Sequence, residues 1–444
     1  MTLERAQLAL LAATAAALPV SIFAGGILLS LSIGVLVARL VRHETTLERT
    51  PVDTPLLAFA VWTLLSASFA ADPLRSHQDA KKLLLFALFY LGVEVMARGE
   101  NRERVLSAAL LGGLALAALM LAQHLFLGFD RLDRRPHGFL GHYMTASGVT
   151  MVVLLLSAAR LLFGRLPRPR VRDLWLPGLV LLGVTLVATL DATPQATHAT
   201  WLFVAALVLG AAWLALAGGA TARAAEATLP VVVAPLAAWA LVVSQTRGVW
   251  IGAVVGLAAI AALRTPRLLA VVAAGVVLVI AVRPAALSGR LTLGDASSID
   301  RYYMWQAGLD MVLDRPVFGQ GPGMILSSYP RYRWPEAPNA QQPHLHNNLL
   351  QLAAERGVPG LAFFLWWAVA TTLAALVEAR RGRTLAPLEP ATAAAVGTLG
   401  VLAAVFAAGL FEYNLGDSEV LMLVLLVTAV PFALSRARAA VPAP

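Results

Sequence analysis

The chain of 444 residues contains no cysteine, and only 13% of its residues are charged. The first absence excludes disulfides, thiolate metal sites and cysteine nucleophiles together. The second excludes the ordinary soluble class, since 59% of residues are hydrophobic and the mean hydropathy is +0.75. Lysine is confined to Lys81 and Lys82. Also lacking is the strict alternation over about ten residues that each strand of a membrane β-barrel requires.

What is present instead is a series of apolar runs of about 16 to 23 residues, each long enough to cross a hydrocarbon core of roughly 30 Å as a helix. They lie near 6–23, 25–41, 55–70, 81–97, 105–127, 143–163, 175–191, 199–217, 229–245, 248–263, 268–282, 358–379, 391–411 and 419–435. Several are short or closely spaced. The expected fold is therefore an all-α polytopic membrane protein of about 12 transmembrane helices, or 12–14 if every run spans. Met1 to Phe23 has the outline of a signal peptide, but a second apolar run follows at once, so it reads as a retained first span.

A formal charge of +9 and a pI near 10.5 would suggest nucleic acid as the partner of a soluble protein. Here the arginines sit in short loops, where they set orientation, and no nucleic-acid partner is expected. With Met1 inside, the inner short segments carry twenty Lys and Arg residues and the outer ones seven: Arg75, Lys81, Lys82, Arg131, Arg134, Arg135 and Arg247. This asymmetry predicts both termini in the cytoplasm.

The chain then divides into N-terminal spans (1–282), one long outer loop (283–357) and C-terminal spans (358–444). The loop is rich in polar and aromatic residues, from Asp300, Arg301 and Trp305 to His344 and His346. Ser298 to Leu313 reads as a helix with Ser298 as N-cap, ended by Arg315-Pro316. Phe318-Gly-Gln-Gly-Pro-Gly323 reads as a tight loop where backbone can approach a ligand. No strand precedes it, which excludes a nucleotide fold. Leu345, Leu349 and Leu352 share one helical face, predicting a helix of about twelve residues with His346 in its first turn. There the helix N-terminus would disfavour imidazolium and leave a ring able to accept a proton.

An enzyme facing outward has no ATP or nucleotide sugar at hand, so its substrate must carry its own activated bond; a polyprenyl diphosphate sugar is the membrane-borne choice. Arginine suits such a donor, binding phosphate oxygens in a two-pronged geometry. Arg247, in Ser244-Gln-Thr-Arg-Gly-Val-Trp250, lies between two apolar runs with almost no loop around it. An arginine at that depth needs a partner or a wet cavity, unless it snorkels to the interface. Arg131, Asp133, Arg134, Arg135, His137 and His142 crowd one outer loop, read either as a substrate-binding cluster or as a solvated loop on anionic lipid. His346 could equally cap its helix by binding Glu355 or backbone. His344-x-His346 could bind a metal, but no cysteine or Asp-x-Asp completes a site, and none is expected. No Gly-x-Ser-x-Gly elbow is present for a serine hydrolase.

Four stretches together resemble the O-antigen ligase superfamily: His137-Gly-Phe-Leu-Gly-His-Tyr-Met-Thr145; Ser244 to Trp250; Arg301-Tyr-Tyr-Met-Trp305 with Asp314-Arg-Pro-Val-Phe-Gly-Gln-Gly-Pro322; and His344-Leu-His-Asn-Asn-Leu-Leu-Gln351 with Glu355-Arg-Gly-Val-Pro-Gly360. They span about 137 to 360. Such a resemblance implies a bacterial inner-membrane glycosyltransferase with a periplasmic active site. It would move O-antigen from undecaprenyl pyrophosphate to a hydroxyl of lipid A-core, in lipopolysaccharide maturation, without cofactor or metal and with inversion. It also implies His346 as general base and Arg247 as the diphosphate ligand. Arg301, Arg134, Arg135, His137, His142 and His344 would contact substrate. O-antigen polymerases and protein O-oligosaccharyltransferases share these motifs. A multi-span transporter is the alternative of another class, weakened because Glu94, His124 and Asp191 lie near the ends of their runs rather than at span centres.

Overall fold

The structure is a computed structural model that describes residues 2–164, 171–190, 196–217, 219–282, 296–385 and 388–440. Arg165, Arg168 and Arg170 of the inner segments, and the start of the long loop at 283–295, lie outside the described residues. The protein is an all-α polytopic membrane protein. In chain order the helices are α1 (Leu3–Ala17), α2 (Ile22–Val41), α3 (Asp53–Ser68), α4 (Pro73–Ala80), α5 (Ala87–Met96), α6 (Gly99–Phe126), α7 (Tyr143–Phe163), α8 (Trp175–Leu190), α9 (Ala196–Ala217), α10 (Gly219–Ser244), α11 (Arg247–Arg264) and α12 (Pro266–Val282). There follow α13 (Ala296–Asp314), α14 (Ile325–Tyr332), α15 (Asn348–Leu385), α16 (Pro390–Ala408), α17 (Ser418–Thr428) and α18 (Val430–Ala439).

Among the described residues nine helices are long and apolar enough to cross a membrane, and Trp175–Leu190 and Pro266–Val277 are shorter apolar helices. Every apolar run falls on helix, but not every run is one long helix. The run at 6–23 yields α1 of 15 residues, the run at 55–70 yields α3 of 16, and 81–97 divides between a 3₁₀ segment, Lys81–Phe86, and α5 of 10.

Helices in a membrane gain nothing by hiding apolar surface from lipid, so close packing depends on small residues. α11 shows this most clearly. Gly248, Gly252 and Gly256 recur every fourth residue on one face, which lies on α16. A Cβ on Gly252 would come 2.6 Å from the Ala404 carbonyl oxygen, and one on Gly256 would come 2.7 Å from that of Gly400. The same stripe ends at Gly248, where a Cβ would sit 3.1 Å from Glu412 Cγ. The stripe therefore sets the first turn of α11 beside the segment that follows α16.

α15 changes direction at Gly357 (φ 69°). Pro359 has no N–H to give, and the freed Val358 N–H donates instead to the Pro316 carbonyl at 2.8 Å. The short arm 348–356 is thereby folded over the end of α16, with the Asn348 N–H donating to the Gly409 carbonyl at 2.6 Å.

Ion pairs gather the opposite end of the bundle. Arg39 meets Glu94 at 2.9 Å, Arg436 meets Glu48 at 3.2 Å, and Arg98 pairs with Glu4. Glu378, far along α15, pairs with Arg438. The start of α1 and the last helix thus lie at the same end, around a polar cavity of about 1430 Å³.

Candidate functional site

At the other end, Phe411-Glu-Tyr413 follows α16, and its Glu412 joins two predicted site residues. Glu412 Oε2 is 3.1 Å from His346 Nδ1, and Oε1 accepts from Arg301 Nη2 at 2.9 Å. The carboxylate is nearly buried, its side chain 5% exposed against 15% for His346 and 16% for Arg301. A carboxylate oxygen can only accept, so the contact places the ring proton on Nδ1 and leaves Nε2 as the proton acceptor.

His346 is not in a helix. It precedes α15 in left-handed backbone (φ 47°), and the helix begins later because Asn347 caps it: Asn347 Oδ1 accepts from the N–H groups of Leu349 and Leu350 at 3.0 and 3.1 Å. The nearest charge to the imidazole is the Glu412 carboxylate, not a helix N-terminus, and its bonding partner is Glu412 rather than Glu355. His344 lies alongside, its ring 4.2 Å from that of His346. Burial, then the neighbouring His346, pushes His344 down to about 4. His142, just ahead of α7, feels the charges of Asp417, Glu412, Arg135 and His346, and burial lowers its pKa from the ordinary histidine value. Asp417 is pushed up, mainly by burial, although Thr145 donates to it at 2.7 Å. Among the described residues no three His, Asp or Glu side chains form a group that could hold a metal ion.

Arg247 opens α11 and donates to Ser298 Oγ at 3.3 Å. Ser298 is inside α13 and not its N-cap. One turn along the same helix, Arg301 also donates to Ser297 Oγ at 3.0 Å. Arg247, Arg301, His346 and His344 are therefore assembled from α11, α13 and the segment before α15, with Glu412 among them. Arg301 Nε and His344 Nδ1 are buried with no protein hydrogen-bond partner, an expensive state that suits a site made to bind something polar.

The 128–142 loop divides. Arg135 lies 3.5 Å over the Tyr143 ring, beside His142 and within reach of the site. Arg134 lies over Phe129 at 4.3 Å. His137 belongs to a loop anchor: its N–H and that of Gly138 both donate to Gln123 Oε1, at 2.9 and 2.8 Å.

The glycine-rich loop does approach something closely, but it is protein. Gln320 N–H and Gly321 N–H donate to the Ala354 and Glu355 carbonyls at 2.8 and 2.9 Å. Gly323 N–H donates to Glu355 Oε1 at 3.1 Å. Glu355 is also held by Gln351 and Arg356, and Arg356 Nε donates to Thr63 Oγ1 at 3.2 Å. Glu355-Arg356 is thus the clamp that fixes the arm carrying His346.

Residues 232–365 match the family model of O-antigen ligases. No curated protein matches the chain. Over that segment the chain resembles the O-antigen ligase superfamily of ligases and polymerases, glycosyltransferase-type membrane proteins whose substrates are glycolipids. The matched stretch contains Arg247, Arg301, His344 and His346. It stops short of Glu412, which the sequence reading missed; the only signal was an acidic residue directly after an apolar run.

Proposed function

We propose that the protein transfers O-antigen from undecaprenyl diphosphate to a hydroxyl of lipid A-core, at the periplasmic face of a bacterial inner membrane, with both termini in the cytoplasm. The observation that carries this reading is the Glu412 carboxylate held between His346 Nδ1 and Arg301 Nη2. In the reaction, His346 Nε2 takes the proton of the acceptor hydroxyl while its oxygen attacks the anomeric carbon. The bond from that carbon to the diphosphate oxygen breaks, and the departing diphosphate keeps the electron pair. Arg247 stabilises the charge growing there. Glu412 orients the imidazole, stabilises the imidazolium, and holds Arg301 in place. Attack opposite the leaving group inverts the anomeric centre. Arg135, His142 and His344 border the acceptor side, and Arg134 and His137 support the loop that carries them. The described part of the long loop, 296–357, acts as the periplasmic domain over the site.

Support comes from the family match, from the membrane fold, and from Arg301 Nε and His344 Nδ1, buried beside Glu412 with no protein hydrogen-bond partner. The test is reconstitution with purified lipid-linked O-antigen and lipid A-core. Arg247→Ala should lose transfer, and EDTA should leave the unaltered protein active. Full activity in Arg247→Ala would remove it as the diphosphate ligand. Cells lacking the protein should accumulate carrier-linked polymer; accumulation of single repeats would make it a polymerase instead.

A further inference from the structure

Outside the bundle, α15 and α16 enclose a groove of about 960 Å³ that takes no part in the site described above. Two adjacent stripes of α15 line it, Phe364, Ala368 and Thr372 beside Leu365, Val369 and Leu373, each stripe spaced by four residues on one helical face. The facing wall is Phe406, Ala407, Gly409 and Leu410 of α16 and its end. Ala407 and Gly409 keep that wall low between the larger Phe406 and Leu410. Midway along α15 the half-buried Thr372 spends its hydroxyl on the Ala368 carbonyl at 2.8 Å.

The head of the groove is the informative part. It is closed by Asn348, Leu349, Gly409 and Leu410, and Asn347 Nδ2 donates to the Leu410 carbonyl at 3.1 Å across it. His346 is the residue before Asn347, and Glu412 is two residues after Leu410. The apolar channel therefore begins beside the His346–Glu412 pair and runs down the lipid-facing side of the helices, over roughly 14 Å between Phe364 and Leu373 at 1.5 Å per residue.

We propose that this groove holds the polyprenyl chain of the diphosphate-linked donor. The inference rests on the proposed transfer reaction and adds where its lipid lies. An acceptor sugar can be joined to its own lipid through many further sugars, so its acyl chains can sit anywhere around the protein. A donor's first isoprene unit, by contrast, is separated from the reacting carbon only by a diphosphate. The apolar path for the donor must start next to the base, and this groove begins beside His346 and Glu412. Because lipid tails compete for the same surface, the gain is packing and register rather than hydrophobic burial. The groove thus acts as a guide that fixes the diphosphate's height against Arg247.

The test uses the full chain in phosphatidylethanolamine–phosphatidylglycerol vesicles doped with undecaprenyl diphosphate. A benzophenone side chain replaces Leu373 in one variant and Leu57 in another; both positions are exposed, and Leu57, on α3, does not line the groove. Undecaprenyl diphosphate should be captured about tenfold more, relative to its mole fraction, at 373 than at 57. Val369→Trp, at an exposed position that does not threaten folding, should abolish that excess. The same variant should raise the KM of an undecaprenyl donor about tenfold and leave that of a donor with a single isoprene unit unchanged. Equal capture at both positions means ordinary bilayer lipid and overturns the proposal. Preferential capture of added lipid A-core at 373 overturns it too. Selective capture together with undiminished transfer by His346→Ala would sink the reaction and leave the groove standing; transfer lost in His346→Ala with equal capture would do the reverse.

Discussion

Replacing Glu412 by Gln is the sharpest perturbation the site offers, because one carboxylate serves two partners at 3.1 and 2.9 Å. Gln keeps the size and one acceptor oxygen but removes the charge. Arg301, 16% exposed, is then left with a hydroxyl partner, and stranding one member of a buried ion pair costs about 3–5 kcal/mol when no rearrangement compensates. Partial exposure of the guanidinium reduces that figure, so a loss at the low end or below is expected in unfolding experiments. The effect on the reaction is larger in kind. Without the carboxylate, one neutral amide oxygen is left for two donors and no charge stabilises the imidazolium, and general-base catalysis contributes about 10²–10⁴-fold. The turnover number of Glu412→Gln should fall into that range, measured with saturating lipid-linked donor and acceptor in detergent. Glu412→Asp, which retains charge at shorter reach, should recover part of it. A Gln variant that folds normally and turns over at the unaltered rate would refute the assigned role.

Three other outcomes follow from the same structure. Gly252→Leu should separate α11 from α16, because its Cβ alone would meet the Ala404 carbonyl oxygen at 2.6 Å; overpacking of this kind costs about 1–3 kcal/mol, and it should lower both thermal stability and transfer by displacing Arg247. His344 is lowered to about 4 by burial and the neighbouring His346, so the unfolded chain binds the extra proton first; stability should fall as pH drops from about 6.5 toward 4. His344→Gln should flatten that part of a melting-temperature profile, and an unchanged slope would count against the burial argument. Arg356→Ala should cost stability by stranding the buried Glu355, and should release the arm that carries His346, seen as faster proteolysis near 320–356.

Much of the architecture was readable because membrane helices announce themselves locally: an apolar run needs no partner to be recognised. Ends and breaks were less so. α15 starts at Asn348 because the Asn347 side chain caps it ahead of the leucine stripe, and the kink at Gly357 depends on the Pro316 carbonyl, distant in sequence, receiving the Val358 N–H. His346 and Arg247 could be picked out as candidates from type and setting, and Arg301 through the resemblance. Glu412 could not, since its importance comes from contacts across 66 and 111 residues of sequence. The every-fourth-residue glycines of α11 are visible in the sequence, but that they set Gly248, at the start of the helix, against Glu412 is a fact of packing with α16. The glycine-rich loop does make a close approach, but to Glu355 of the protein rather than to a ligand, a tertiary contact that no local pattern announces.

The most direct measurement is single-turnover transfer by His346→Ala and by the unaltered protein, using purified carrier-linked glycan with lipid A-core. The account predicts that donor still binds to the variant while glycan transfer falls by about 10²-fold or more. Equal rates in the two proteins would contradict it.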